Sequence, residues 1–304
     1  MIINKKTKIV ATLGPATNTK ETLTELASSG VNVFRINFSH ADYEDVKKRV
    51  KQIREINHEN GYNVAILADL QGPKLRVGVM EDGVVLEDGD EFIFTTEECV
   101  GNNEKAFMTY QNFPRDVKPG EQILVDDGKL LFEVISTDKK LKVVTKVIVG
   151  GVLSSKKGVN LPNTNISLPA LTEKDKKDAI FALSLDVDWL ALSFVRTPED
   201  LRILRDLIAQ NSKYRVPVIA KIEKPEAVEN IDSLIPYCDG LMVARGDLGV
   251  EIPMQEVPLI QKQLVMRAKQ ARIPVIIATQ MMETMITNSV PTRAKINDVA
   301  NSIM

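Results

Sequence analysis

A chain of 304 residues can bury a large core, as one barrel or two domains. Its 44% apolar and 26% charged residues are ordinary for a globular protein, and a net charge of −2 gives no global field for nucleic acid or an anionic membrane. Two histidines (His40, His58) exclude a histidine-rich zinc site, two distant cysteines (Cys99, Cys238) lack metal-ligand spacing, and with no signal-like or bilayer-length apolar stretch the chain reads as cytoplasmic.

From the N-terminus, short apolar strands alternate with amphipathic helices. The pattern predicts strands over 8–14, 33–39 and 64–69, with helices over 19–29 (closed by Gly30) and from about 43 to 59. This rhythm implies a parallel sheet. From 74 to 168 the period changes to two, with turn signals at Asp82-Gly83, Asp88-Gly89, Asp126-Asp127-Gly128 and Asp138-Lys139-Lys140, which predicts an inserted antiparallel β domain. Alternation resumes at Thr172, with strands over 189–194, 217–222, 240–244 and 274–279; Leu259, Ile260, Gln263, Leu264, Arg267 and Ala268 mark a helix between the last two. The expected domains are 1–73 and 169–304 for the barrel and 74–168 for the insert. Seven parallel strands are counted where a closed α/β barrel has eight, and the pattern stops inside a helix at Met304, so the chain reads as truncated. The unpaired apolar edges at strands one and seven are expected to lower its stability and solubility. The insert joins the barrel through two nearby crossings and is expected to act as a hinged lid.

The chemistry-bearing residues gather at predicted strand ends. Lys221 and Glu223, two apart, share a face where one apolar run closes. Asp247 closes the next run, where a glycine turn is expected to free backbone N–H groups. A lysine, two carboxylates and free amides at neighbouring strand ends suit metal-assisted phosphoryl transfer. Arg35, Asn37 and Ser39 alternate on the second strand, and three polar side chains facing a barrel interior are costly unless they bind something. For Arg35 a structural ion pair is the other option. Asp69 ends strand three, Ser193 and Arg196 end strand four, and Thr279, Gln280 and Glu283 end strand seven. Lys156-Lys157-Gly158 is open between a solvated cluster and a clamp on a nucleotide phosphate, and His40 between a general base and a packing residue. Arg245-Gly246-Asp247 alone is uninformative. P-loop, dinucleotide and kinase glycine fingerprints are all missing, so nucleotide binding is not readable from them.

Several segments, in order along the chain, carry a specific resemblance. They are Lys8-Ile-Val-Ala-Thr-Leu-Gly-Pro15, Phe34-Arg-Ile-Asn-Phe-Ser-His40, Ala68-Asp-Leu-Gln-Gly-Pro-Lys-Leu-Arg76 and Lys156-Lys-Gly-Val-Asn-Leu-Pro162. Ala220-Lys-Ile-Glu223, Met242-Val-Ala-Arg-Gly-Asp-Leu-Gly249, Ala278-Thr-Gln-Met281 and Pro291-Thr-Arg-Ala-Lys-Ile-Asn-Asp-Val-Ala-Asn301 complete the set. Together they resemble the pyruvate kinases. The resemblance implies an α/β fold: a TIM (β/α)₈ barrel, here without its last strand–helix unit, with a mobile all-β lid inserted after strand three. It implies phosphoryl transfer from phosphoenolpyruvate to ADP, giving pyruvate and ATP, with Mg²⁺ or Mn²⁺ as cofactor. By the same match Glu223 and Asp247 hold the metal, Lys221 stabilises the phosphoryl group, Arg35 binds phosphate, and Thr279 with the Gly246 and Asp247 amides holds the substrate carboxylate, beside Ser193. Asn37, His40, Arg76 and Lys157 face the nucleotide, and the full-length protein is expected to be a homo-oligomer, a tetramer. Many members need K⁺ and carry threonine, lysine and glutamate where this chain has Leu70, Gln71 and Lys74; Lys74 is expected to replace the ion, so K⁺ is not required. The competing readings are another metal-dependent barrel enzyme acting on pyruvate or its enolate, such as an aldolase or lyase, and an inactive fragment.

Overall fold

The computed structural model describes residues 6–304. Strand β1 (Val10–Thr12), helix α1 (Lys20–Ser28), strand β2 (Val33–Asn37), helix α2 (Tyr43–Asn60) and strand β3 (Ala65–Asp69) open the chain. Side-chain caps start both helices: Thr19 Oγ1 accepts from Thr22 N, and the Asp42 carboxylate accepts from Glu44 N and Asp45 N. The second strand is shorter than the alternation predicts. The Asn37 side chain accepts from Ser39 N at 3.0 Å and turns Phe38–His40 into a 3-10 helix, so Ser39 does not share a strand face with Arg35 and Asn37.

Residues 73–169 together with 247–258 form one compact unit. It contains β4 (Val85–Leu86), β5 (Glu91–Thr95), β6 (Lys105–Phe107), a short helix α3 (Phe113–Asp116), β7 (Gln122–Val125), β8 (Leu130–Thr137), β9 (Lys142–Val149), β10 (Gly151–Val152) and β11 (Val159–Asn160). Six strands pair in the order β11-β7-β8-β9-β5-β6, and β10 pairs with β4. One pair departs from the antiparallel expectation: β5 and β6 run parallel, which a period-two pattern alone does not encode. Phe92, Phe94, Phe113 and Phe132 are fully buried in the core of this unit. Residue 160 ties the later segment in, with Asn160 Nδ2 donating to Glu251 Oε1 at 2.8 Å.

The other compact unit comprises, among the described residues, 6–72, 170–246 and 259–304. After β3 it continues with α4 (Glu173–Ser184), β12 (Trp189–Leu192), α5 (Pro198–Asn211), β13 (Val218–Ile222), α6 (Pro225–Glu229), α7 (Ile231–Leu234) and β14 (Gly240–Ala244). Helix α8 (Arg245–Glu251) begins here and runs into the 247–258 segment of the first unit, and α9 (Val257–Ala271), β15 (Val275–Ala278) and α10 (Arg293–Ile303) follow. All seven strands are parallel, in the order β1-β2-β3-β12-β13-β14-β15, which gives the expected α/β barrel class with seven strands. Among the described residues β1 and β15 each have one strand neighbour. The barrel interior starts with an apolar layer of Leu67, Ala191, Ile219 and Met242, with Val10, Val33, Trp189 and Ile276 against it. Among the described residues no helix is long and apolar enough to cross a membrane.

Candidate active site

The strand period places the site. Arg35, Asp69, Ser193 and Lys221 each follow by two residues a member of that interior apolar layer or its neighbours: Val33, Leu67, Ala191 and Ile219. A period of two keeps them on the same face, so a polar layer stacks on the apolar one at the C-terminal strand ends. Lys221 is its centre, only 7% exposed. Its Nζ donates to Ser193 Oγ at 2.6 Å and lies 2.9 Å from Glu223 Oε1 and 3.2 Å from Asp69 Oδ1. Burial pulls the ammonium pKa down, but the charges of Glu223 and Asp69 outweigh it and leave the group above the ordinary lysine value.

Asp69 links the layer across the barrel. Its Oδ2 accepts from Arg35 Nε at 2.6 Å and lies 2.5 Å from the Arg35 NH2 nitrogen, while Arg35 NH1 donates to Thr12 Oγ1 at 2.9 Å. Oδ1 has the Lys221 ammonium within ionic range but no hydrogen bond of good alignment, so a buried carboxylate oxygen keeps unused acceptor capacity. Ser193 Oγ donates to Leu70 O at 2.7 Å, and Glu223 Oε2 accepts from Phe194 N at 2.8 Å. Two cations and two carboxylates thus sit in one cluster with no formal net charge, with Asp69, Lys221 and Glu223 buried and Arg35 partly exposed. Arg35 makes the ion pair that was one of its two sequence options. The sequence placed Asp69 at a strand end without giving it this central role; its signal was a carboxylate closing an apolar strand.

The loops that follow the strands are strained. Phe194 (φ 55°), Thr279 (φ 76°), Gln280 (φ 56°) and Met282 (φ 56°) are left-handed, and a β-branched threonine there is unusual. Predicted strands four and seven therefore end early, at Leu192 and Ala278. Gly246 is not in a glycine turn as expected, because α8 begins immediately at Arg245. A side chain there is excluded for another reason: a Cβ would stand 2.7 Å from Thr279 Cγ2. Asp247 lies in the first turn of α8, in the other compact unit from Glu223.

The insert residues have their own network. Lys157 Nζ lies 2.9 Å from Asp126 Oδ1, and this contact, then that of Lys129, holds the Asp126 carboxyl below its usual range. Arg76 NH1 donates to Lys156 O at 2.7 Å, and Lys74 is exposed. Asn37 is exposed at the end of β2; the His40 side chain lies outside the described residues. Among the described residues no three histidines, cysteines or acids cluster to hold a metal. Glu223 is a carboxylate, the donor type that a hard cation such as Mg²⁺ takes, usually one or two at a time with substrate and water oxygens completing the shell.

Comparison with known proteins adds the family context. Residues 4–304 match the family model described as pyruvate kinase, barrel domain. A pyruvate kinase from Corynebacterium glutamicum is 46% identical over 303 residues, covering 99% of this chain and 63% of its own length. One from Geobacillus stearothermophilus is also 46% identical over 303 residues, covering 99% of this chain and 52% of its own length. The crystal structure of a pyruvate kinase from Cryptosporidium parvum superposes with a TM-score of 0.93 at 38% identity, over 98% of this chain and 62% of that one. The chain therefore spans between about half and two thirds of the length of these relatives.

Proposed function

The chain belongs to the pyruvate kinase family, and on that premise we propose that it transfers the phosphoryl group of phosphoenolpyruvate to ADP. The bond from phosphorus to the enol oxygen breaks, a bond to a terminal oxygen of ADP forms, and C3 of the enolate takes a proton to give pyruvate. The observation that carries this reading is the buried Lys221 ammonium, fixed between Glu223 and Asp69 with Arg35 beside them. Phosphoryl transfer requires positioning and charge stabilisation more than a nucleophile, and a preorganised buried cation supplies that without reorganisation. To meet a phosphoryl oxygen, Lys221 has to release one partner, and its longest contact, 3.2 Å to Asp69, is the weakest.

Glu223 and Asp247 are assigned to a divalent ion, Mg²⁺ or Mn²⁺, which when bound neutralises charge on the transferred group. Arg35 binds phosphate. Thr279, Ser193 and the Gly246 and Asp247 amides hold the enolpyruvate. Thr279 is too weak an acid to protonate C3 alone and orients water for that step. Asn37, His40, Arg76 and Lys157 contact the nucleotide. Lys74 replaces the monovalent cation, so K⁺ is not required. The reading places the protein in the cytoplasm and the full-length form in a homotetramer.

The test is a coupled assay for pyruvate from phosphoenolpyruvate, ADP and Mg²⁺, with a chelator control. Turnover is expected, abolished by chelation and equal in K⁺ and in tetramethylammonium at matched ionic strength. No turnover with any divalent ion would remove the proposal; strong K⁺ activation would remove the role of Lys74.

A further inference from the structure

The carbonyls of the strained turn after β15 are held from outside by charged side chains. Arg245 Nε donates to Ala278 O at 3.1 Å, and its NH2 donates to Thr279 O at 2.7 Å. Asp298 of α10 accepts from both terminal nitrogens of that guanidinium, the NH2 bond being 3.0 Å. Lys295, on the same helix, donates to Gln280 O at 2.7 Å. Three successive carbonyls thus accept from two cations, across a stretch where Thr279 and Gln280 are both left-handed. A left-handed threonine persists only where its surroundings over-determine it. Next to Arg245, Gly246 leaves the space that Thr279 Cγ2 occupies.

From this we propose that Arg245 and Asp298 are a positioning pair, which sets the Thr279 side chain for the enolpyruvate; the kinetic part of the claim rests on the role given to Thr279 above. The planar guanidinium is suited to it, with one edge on two carbonyls and another on a carboxylate. An ammonium has no such fork, so Arg245→Lys does not replace it. Asp298 fixes the guanidinium plane, and through it the two carbonyls. The segment 291–301 thereby has a function: its helix clamps the turn that carries Thr279.

The test has two arms. In the first, amide hydrogen exchange is followed by mass spectrometry in the parent chain, Asp298→Ala and Asp298→Asn. Exchange over 279–283 is expected to accelerate by about tenfold or more in Asp298→Ala, with β13 and β14 unchanged. Asp298→Asn, which keeps the shape, is expected to fall between and serves if the alanine variant does not fold. Unchanged exchange over 279–283 overturns the pair, whatever the activity. In the second arm, Asp298→Ala is expected to lower kcat by about 10- to 100-fold at an unchanged Mg²⁺ midpoint. In a Thr279→Val background the same change is expected to cost less than about threefold, because a residue acting through Thr279 has little left to perturb. Additive losses, or a parallel shift of the Mg²⁺ midpoint, overturn the route through Thr279. A parent chain without turnover refutes the functional reading and leaves the exchange arm to decide the pair.

Discussion

Lys221 illustrates how one buried side chain can be both structural and chemical. Lys221→Met is expected to abolish phosphoryl transfer while substrate affinity stays within about tenfold, because the charge acts mainly on the transition state. Steady-state kinetics with phosphoenolpyruvate checks this; near-normal turnover would contradict the assignment. The same change leaves Asp69 and Glu223 buried without their cation, so a stability loss of about 3–5 kcal/mol is expected in denaturant melts. The sign of the pH dependence follows from the raised pKa of Lys221. Its contribution is complete below the ordinary lysine value and is lost only as pH rises through the higher folded value. An alkaline limb of activity starting at neutral pH therefore has to come from another group. At the carboxylates, Glu223→Gln and Asp247→Asn are each expected to raise the Mg²⁺ requirement at least about tenfold. Unchanged metal titrations in both would place the ion elsewhere.

At the scale of elements, the insert is held by an aromatic core. Phe94 packs edge-on against Phe92, Phe113 and Phe132, with ring centroids 5.2, 6.0 and 5.1 Å away. Phe94→Ala is expected to cost about 3–5 kcal/mol. Because this core belongs to one compact unit, the lost hydrogen-exchange protection should be confined to 73–169 and 247–258; equal loss in the barrel strands would show one cooperative unit. In the barrel, Tyr43 at the start of α2 stacks on Phe181 of α4 at 4.0 Å and donates to Asp178 Oδ1 at 2.7 Å. Burial first, and then this bond to a carboxylate, pushes its pKa up to about 12. The unfolded phenol ionises near 10, so this contact is intact below about pH 10 and is lost as pH rises towards 12. Phenolate absorbance should show Tyr43→Phe removing a late-titrating group.

Across the whole molecule, the surface of the later barrel elements is unusually apolar. Leu259, Met266, Ile286, Val290, Ile296 and Ile303 are each more than half exposed. The strands β1 and β15 each have an outer edge without a strand partner among the described residues. Such surfaces and edges pair with other chains. The 304-residue chain is therefore expected to self-associate at micromolar concentration and to bind a hydrophobic dye. Light scattering that finds a monodisperse, cooperatively melting monomer would contradict this.

The sequence by itself determined the barrel class, the seven parallel strands, the β insert and the strand ends on which Arg35, Ser193, Lys221, Glu223 and Thr279 lie. These follow from local periodicity, since a period of two fixes which side chains share a face once a strand exists. Only the tertiary structure decided which charges meet. Asp69 became the link between Arg35 and Lys221 because strand order places β3 beside β2 and brings residues 35, 69 and 221 together over gaps of 34 and 152 positions. Ser39 left its predicted face because one Asn37 side-chain bond outweighed the alternation. The pairing of Arg245 with Asp298 carried no readable signal: each lies in a segment that carries the family resemblance, but they are 53 residues apart and no local pattern joins them. Their partnership rests on a guanidinium reaching backbone carbonyls and a distant carboxylate at once, and the relative placement of β14, β15 and α10 fixes that geometry.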